Sequence, residues 1–570
     1  MIKNEIFLQK KLGFKLGFFC NMFLKELFIV KSIKITMLSI VCLSTSFVLA
    51  NHHGFWNKQD LVDRKIRARN VRISAATAEA EATKIAHQKT NGDLGRYKDK
   101  RGSYSKALSH KSNGMVKKSS FKSMTHALKS GKSKDFDKII LGDGRHLVDP
   151  QAAYAYALEG ADLAAYAIPA APKLTSAETA GEMVELYWQA LLRDVPFNQY
   201  NTNVMAAAAI VDLNTLSNFK GPKIGGMVTP QTLFRGTTPG ELVGPYISQL
   251  LYKPIPDHGR PVQQLYFPYV TGTANNFLTN VADLLLVQNG GSTGQVNTFQ
   301  GTSNYIFTGR DLGTYVHKDY TSEAWVNAAL ILLGFGNVAL DPNNPYKTNP
   351  TQDGFVTYGG PKVIELINIA TAASLKACWY QKWMVHLRLR PEYFGFLVQE
   401  QIVNGADFDL NSDVINSPVL ADIFALYGTY LLPQMYPEAS PTHPSYPAGH
   451  AVISGACATI LKAFFDENFA IPNPVQPNVT NTGFDPYVGV LRIGDELNKL
   501  AGNIGMGRDF AGIHWRSDEA EGMLLGEDIA LSILVDEGYT NNETFKGYIV
   551  TKFNGETVTV GPKVTFPRSS

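Results

Sequence analysis

Three short clusters in the last third of the chain carry side chains whose types and spacing suit chemistry on an anion. The first is Trp379-Tyr-Gln-Lys382-Trp-Met-Val-His386-Leu-Arg388-Leu-Arg390-Pro391-Glu392, which follows a long apolar-periodic run from Pro361. Residues four apart share a helix face, so Lys382, His386 and Arg390 are expected to form a polar row. Pro391 disfavours helical geometry at Arg390, which is expected to close the helix with its side chain turned inward. The plain alternative is a solvated cationic helix end.

The second cluster is His443-Pro-Ser445-Tyr-Pro447-Ala448-Gly449-His450, leading into an apolar run to Phe465. Prolines and glycine predict a rigid turn, and the run predicts a helix, so the Gly449 amide and His450 fall at its N-terminus. Unpaired N–H groups and the positive end of the helix dipole suit an anion there. The alternative is a loop histidine and a capping one. The third cluster is Gly507-Arg508-Asp509-Phe-Ala-Gly512-Ile-His514-Trp515-Arg516-Ser517-Asp518. Asp518, four residues after His514, is placed to accept a hydrogen bond from one ring nitrogen and leave the other free to act. A structural Arg–Asp pairing at a helix start is the competing reading.

Together the clusters hold Lys382, Arg390 and Arg508, a helix N-terminus, and the histidines His450 and His514. Three permanent cations around one point suit a tetrahedral oxyanion, whose oxygens match arginine forks bidentately.

The elements that must position these groups read as helix and loop. From Leu141 onward, amphipathic runs such as Pro150 to Tyr166, Ala177 to Leu192 and Trp325 to Leu333 alternate with Gly/Pro/Asn-rich connections. The tail differs: Tyr548 to Phe553 and Thr557 to Val560 are β-branched runs joined through Asn554-Gly555, a hairpin signal. The expected fold class is therefore mostly α, with a small C-terminal β-hairpin. At 570 residues, 45% apolar and 18% charged, the chain has room for a large buried core. A net charge of +3 gives no whole-molecule field to attract nucleic acid or an anionic membrane. The charge is uneven, however. Residues 51–140 hold 21 Lys or Arg against 8 Asp or Glu and read as a solvated basic arm with a helical piece around Arg64 to Lys84.

Residues 1–50 carry Lys31 and Lys34, then an apolar run from Met37 to Ala50 ending Phe47-Val48-Leu49-Ala50. This is a secretory signal pattern, cut after Ala50, with Met22 as an alternative start. The run is shorter than the ~20 residues a membrane span needs, and no later stretch is long enough, so an exported protein without a membrane span is expected. Cys20 and Cys42 fall in the segment expected to be removed. Cys378 and Cys457 are expected to be buried free thiols, with a disulfide between them the alternative.

The order Lys382-x7-Arg390-Pro, Pro447-Ala-Gly-His450, Arg508-x5-His514-x3-Asp518 resembles the vanadium-dependent haloperoxidases, in the type 2 phosphatidic acid phosphatase superfamily. The stretches Ser103 to His110, Asp135 to Gly142 and Thr179 to Asp194 resemble the bromoperoxidase branch, and the likeness spans roughly residues 60–540. It implies a helical-bundle catalytic domain over residues 141–570 and a vanadate cofactor. His514 would be the vanadium ligand, with Lys382, Arg390, Arg508 and the Gly449 amide binding the vanadate oxygens and His450 acting as acid–base residue. Trp379 and His443 match the branch as halide or outer-layer positions, and Asp518 supports His514. Hydrogen peroxide, a halide (bromide foremost) and an organic acceptor are the implied partners, and a homo-oligomer is implied. Calcium, bound by some relatives, has the Asp341 to Asp353 loop as its candidate here. One departure is Ala448, where the family usually has Ser; the missing hydroxyl costs about 1.5–3 kcal/mol of hydrogen bonding to a charged group. The competing functions are an exported acid phosphatase working through a phosphohistidine on His514 and a degenerate, non-enzymatic protein.

Overall fold

The structure, a computed structural model, describes residues 58–82, 84–257 and 259–561. The signal pattern, Cys20 and Cys42 lie outside them. The chain divides into two compact units, residues 1–72 and 73–570. In the first, residues 58–72 are described and belong to helix α1 (Lys58–Ala82), which has no buried residue.

The larger unit is built from helices that form where apolar periodicity and caps coincide. Helix α2 spans Lys118–Ser130. Helix α3 (Ala177–Leu192) starts at Ser176, whose hydroxyl accepts the Thr179 amide hydrogen bond and so satisfies a first-turn donor. There follow α4 (Gly309–Tyr315), α5 (Glu323–Leu333), α6 (Gly360–Tyr380), α7 (Pro391–Val403), α8 (Gly449–Phe464), α9 (Ile493–Phe510) and α10 (Arg516–Glu537). At the centre, α8 packs against α6, α9 and α10. The approach of α8 to α10 is close enough that a Cβ on Gly455 would lie 2.0 Å from the Met523 carbonyl oxygen, and one on Gly526 2.0 Å from that of Val452. Two glycines thus let the backbones meet, and the surrounding aliphatic and aromatic side chains close the core.

Short antiparallel pairs lie outside this bundle: β1–β2 (Ile255–Asp257 with Arg260–Val262) and β3–β4 (Val475–Pro477 with Phe484–Pro486). The C-terminal hairpin pairs β5 (Tyr548–Thr551) with β6 (Thr557–Val560), Tyr548 opposite Val560. Gly555 supplies the left-handed turn residue, with φ 85°.

Two expectations need correction. Pro150 to Tyr166 is not one helix but two 3₁₀ turns, Pro150–Tyr154 and Leu163–Ala165. Between them Gly160 takes φ 75° and gives its amide to Asp536, so the chain turns instead of coiling on. Nor is all of 51–140 solvated: Tyr104, Leu108, Phe121, Met124 and Phe136 bury themselves with Trp383 in a second apolar cluster. The basic residues there sit between apolar positions that composition alone does not weight. Cys378 and Cys457 are free and buried. No described helix is long and apolar enough to cross a membrane.

Candidate active site

Residue spacing brought Lys382 and Arg390 together by the wrong route. After α6 the chain makes one wide turn at Gln381–His386, Leu387 takes left-handed backbone with φ 47°, and Arg388 forms an isolated antiparallel bridge with Ser103. Arg390 therefore does not close a helix. It precedes α7, in the extended geometry Pro391 imposes (φ −91°, ψ 154°). His386 leaves the row: its Nε2 meets Gln381 Oε1 at 3.2 Å and its ring stands edge-on to Tyr446. Lys382 and Arg390 nevertheless both turn inward to the 443–445 turn. Lys382 Nζ donates to the carbonyls of Pro444 (2.9 Å) and Ser445 (2.6 Å). Arg390 Nε donates to the His443 carbonyl at 3.1 Å and Nη2 to His443 Nδ1 at 3.0 Å. His443 Nδ1 also lies 3.1 Å from the Pro444 carbonyl, so it faces a donor and an acceptor at once.

From the other side come α9 and the turn after it. Arg508, in the last turn of α9, donates to the Val316 carbonyl and stands over the Tyr436 ring, and its Nε has no partner among the described residues. Gly512, at φ 82° against Gln434, then reverses the chain and delivers His514. His514 Nδ1 lies 2.7 Å from Asp518 Oδ2, in the first turn of α10, and its Nε2 lies 2.9 Å from Arg390 Nη1. Burial first, then Arg390, Lys382 and Arg508, push the His514 imidazole well below its usual value. The ring is thus neutral, with Nδ1–H donated to Asp518 and a lone pair on Nε2, the state a metal ligand requires. Asp518 also accepts from Arg388 Nη1 (2.7 Å), the Ser445 hydroxyl and the Trp515 amide.

The α8 N-terminus begins as predicted, at Gly449, with Ala448 as its capping residue and no side-chain cap. Ser445 does not substitute for the absent hydroxyl at 448, because its own is given to Asp518. Trp379 packs against His443, ring centroids 4.7 Å apart, and lies beside Gly449. Its indole N–H is held by the Val148 carbonyl. Burial, then Lys382 and Arg390, hold His443 well below the ordinary imidazole range, so it is neutral too.

His450 has a partner that the sequence did not signal. Its Nε2 lies 2.9 and 3.1 Å from the two carboxylate oxygens of Asp319. Burial raises the Asp319 carboxyl, but His450 and Arg508 outweigh it and leave it below its usual value. Asp319 lies in the segment after α4, remote in sequence from all three clusters. Arg388 was likewise missed as a participant: it bridges Glu182 and Asp518.

Whether an oxyanion fits is decided by the charges. Lys382, Arg390 and Arg508 are 0%, 2% and 6% exposed, and none has a carboxylate partner among the described residues. Their buried neighbours Arg388, Arg516 and Lys106 all have one. Unpaired buried cations are costly unless a counter-charge meets them, so the donor set fits an anion such as vanadate. Calcium has no such support. Asp341 is occupied by the Asn343 amide, and among the described residues no group of three or more His, Cys, Asp or Glu is placed to hold a metal ion.

A helical bundle that gathers unpaired cations, a helix N-terminus and a carboxylate-held histidine has the make-up of an enzyme that holds a tetrahedral oxyanion. A family model described as the VCPO second helical-bundle domain matches residues 362–536. The chain is 32% identical over 546 residues to the vanadium-dependent bromoperoxidase of Corallina officinalis, covering 80% of this chain and 90% of that protein. With the vanadium-dependent bromoperoxidase of Ascophyllum nodosum it shares 34% identity over 527 residues, 86% of this chain and 92% of the other. The solved homohexameric second vanadate-dependent bromoperoxidase of Ascophyllum nodosum superposes with a TM-score of 0.83 at 28% identity, covering 90% of this chain and 92% of that one. The chain belongs to the vanadium-dependent bromoperoxidase family.

Proposed function

We propose that the protein binds vanadate at this site and uses hydrogen peroxide to oxidise a halide, bromide foremost, to a hypohalous acid equivalent that halogenates an organic acceptor. The observation that carries the reading is the set of three buried cations without carboxylates around a neutral His514. His514 Nε2 is the vanadium ligand, and Lys382, Arg390, Arg508 and the Gly449 amide bind the anion's oxygens. When bound, vanadate supplies a Lewis-acidic centre that activates peroxide without a change of oxidation state.

The residues around it do the rest. Asp518 holds the His514 tautomer, and Arg388 in turn donates to Asp518. The cations withdraw electron density from oxygens bound beside them. His450, oriented through Nε2 by Asp319, exchanges a proton at Nδ1, and its side chain is 19% exposed, so solvent can restore that proton. Trp379 and His443 line the halide approach. The proteins this chain resembles are bromoperoxidases, and no observation favours the acid phosphatase. By the same likeness the protein assembles as a homo-oligomer. Export with cleavage near Ala50 rests on the signal pattern alone.

Bromination of a phenolic dye, with and without added orthovanadate, tests the reading. Activity is expected only with vanadate, peroxide and bromide together, and phosphate should compete. Bromination that survives exhaustive vanadium removal, or phosphate hydrolysis without any bromination, would overturn it.

A further inference from the structure

The segment Val316–Asp319, just after α4, reaches two groups of the site at once. The Val316 carbonyl accepts from Arg508, and the Asp319 carboxylate holds His450. Between these anchors His317 is itself clasped. Its Nδ1 lies 2.6 Å from the Tyr269 hydroxyl and its Nε2 2.9 Å from Glu438 Oε1. Its ring stacks on Tyr436, centroids 3.5 Å apart and planes 4° from parallel. The opposite partnership is fixed by chemistry. A carboxylate accepts, so Nε2 carries the proton, and Nδ1 accepts from the Tyr269 O–H. Burial holds His317 below its ordinary value, consistent with this neutral tautomer, and His317 in turn holds the Glu438 carboxylate down at about 2 against the effect of its own burial.

Each partner ties the clasp to a different part of the chain. Tyr436, beneath the His317 ring, gives its hydroxyl to Gly313 in α4 and lies under the Arg508 guanidinium. The Glu438 carbonyl accepts Lys106 Nζ at 2.9 Å and Arg145 Nη1 at 3.2 Å. Three separate segments, at 269, 316–319 and 436–438, therefore meet on one imidazole.

We infer that His317 is a positioning residue, which through the Tyr269–His317–Glu438 chain holds the Val316 carbonyl and Asp319 carboxylate, and hence Arg508 and His450, in register for the bound anion. The inference rests on the vanadate reading above. It makes the anion site depend on a histidine that touches neither anion nor halide.

The test uses the full-length protein and vanadate itself, with equilibrium dialysis for affinity and the ⁵¹V resonance of the bound ion as a signature of its environment. His317→Phe keeps the stacking on Tyr436 and removes both hydrogen bonds. It is expected to weaken vanadate binding by roughly tenfold, the scale of one or two lost positioning bonds, and to shift the bound resonance. Tyr269→Phe should act in the same direction with a smaller effect. Glu438→Gln, whose amide oxygen still accepts from Nε2–H, should restore wild-type affinity and resonance where Glu438→Leu does not. If His317→Phe and Tyr269→Phe lower the melting temperature but leave affinity and resonance unchanged, His317 is only structural and the inference fails. Should His317→Phe not fold, the Tyr269→Phe and Glu438 variants decide by the same readouts. A wild-type protein that binds no vanadate overturns the functional reading instead, before any variant is compared.

Discussion

Two sets of buried cations lie in the same part of the helical core, and they are treated oppositely. Arg388 sits between Glu182 and Asp518 at 2.7 Å from each, and Arg516 meets Glu185 at 2.8 Å. Among the described residues, Lys382 and Arg390 meet carbonyls and imidazoles, and Arg508 the Val316 carbonyl and an aromatic face. The first set is neutralised within the chain and holds helices together. The second keeps a positive potential in a low-dielectric setting, where it acts on an anion far more strongly than surface charge would. The difference separates scaffold from receptor more sharply than residue type does, since Arg388 of the first set and Arg390 of the second are two positions apart in sequence.

The sharpest break comes from the two histidines beside the receptor. His514→Ala should abolish vanadate retention, because the remaining contacts are hydrogen bonds without a metal–nitrogen bond. His450→Ala should retain vanadate and lose turnover by roughly two to four powers of ten, the scale of a general acid–base group. Metal analysis after desalting, set beside bromination rates, distinguishes them; stoichiometric vanadium on His514→Ala with an empty His450→Ala would reverse the assignment.

Stability measurements break the comparison itself. Arg388→Met strands two buried carboxylates and should destabilise the protein by about 3–5 kcal/mol. Arg390→Met removes an unpaired charge, so in the vanadate-free protein its cost should be clearly smaller, while vanadate retention falls. Equal losses in denaturant unfolding would mean Arg390 is as structural as Arg388.

A smaller effect follows from the charge state of Lys382, which burial, the leading cause, lowers from 10.5 to about 8. Below about 8 the buried charge burdens the vanadate-free protein fully. Between about 8 and 10.5 the unfolded chain binds the extra proton, so stability from this group rises with pH. Vanadate needs the charged form, so its affinity should fall as pH climbs through that window. Lys382→Met should lose this component, and an identical pH dependence in variant and wild type would show that another group is responsible.

The smallest change concerns Ala448, buried at the cap of α8. Ala448→Ser should tighten vanadate binding by roughly one to two powers of ten if the hydroxyl faces the anion. If the hydroxyl instead caps the helix, the gain is about 0.5–2 kcal/mol of stability. Vanadate titration and thermal unfolding together say which, and an unchanged titration places residue 448 away from the anion.

Much of the site was legible because its chemistry is local. Asp518 four residues after His514 gives the observed 2.7 Å contact, since that spacing at a helix start brings the groups to one side. The α8 start at Gly449 followed from the proline-rich turn and the apolar run behind it. Arg390 was legible only in part. Pro391 announced its extended backbone, but the wide turn at 381–386 and the left-handed Leu387, with Trp383 and Leu387 buried in the second apolar cluster, replaced the expected helical row.

By itself, then, the sequence determined the helical class, the inventory of cations and histidines, the local His514–Asp518 pair and the family. Tertiary structure alone decided which charges are spent and which are kept. Glu182 and Arg388, 206 residues apart, neutralise each other, as do Lys106 and Glu392 at a separation of 286. Asp319 finds His450 across 131 residues. No spacing rule carries such pairings. A cation's role inside a protein is set by whether the fold brings a carboxylate within a few ångströms of it, and that distance exists only once the helices have packed.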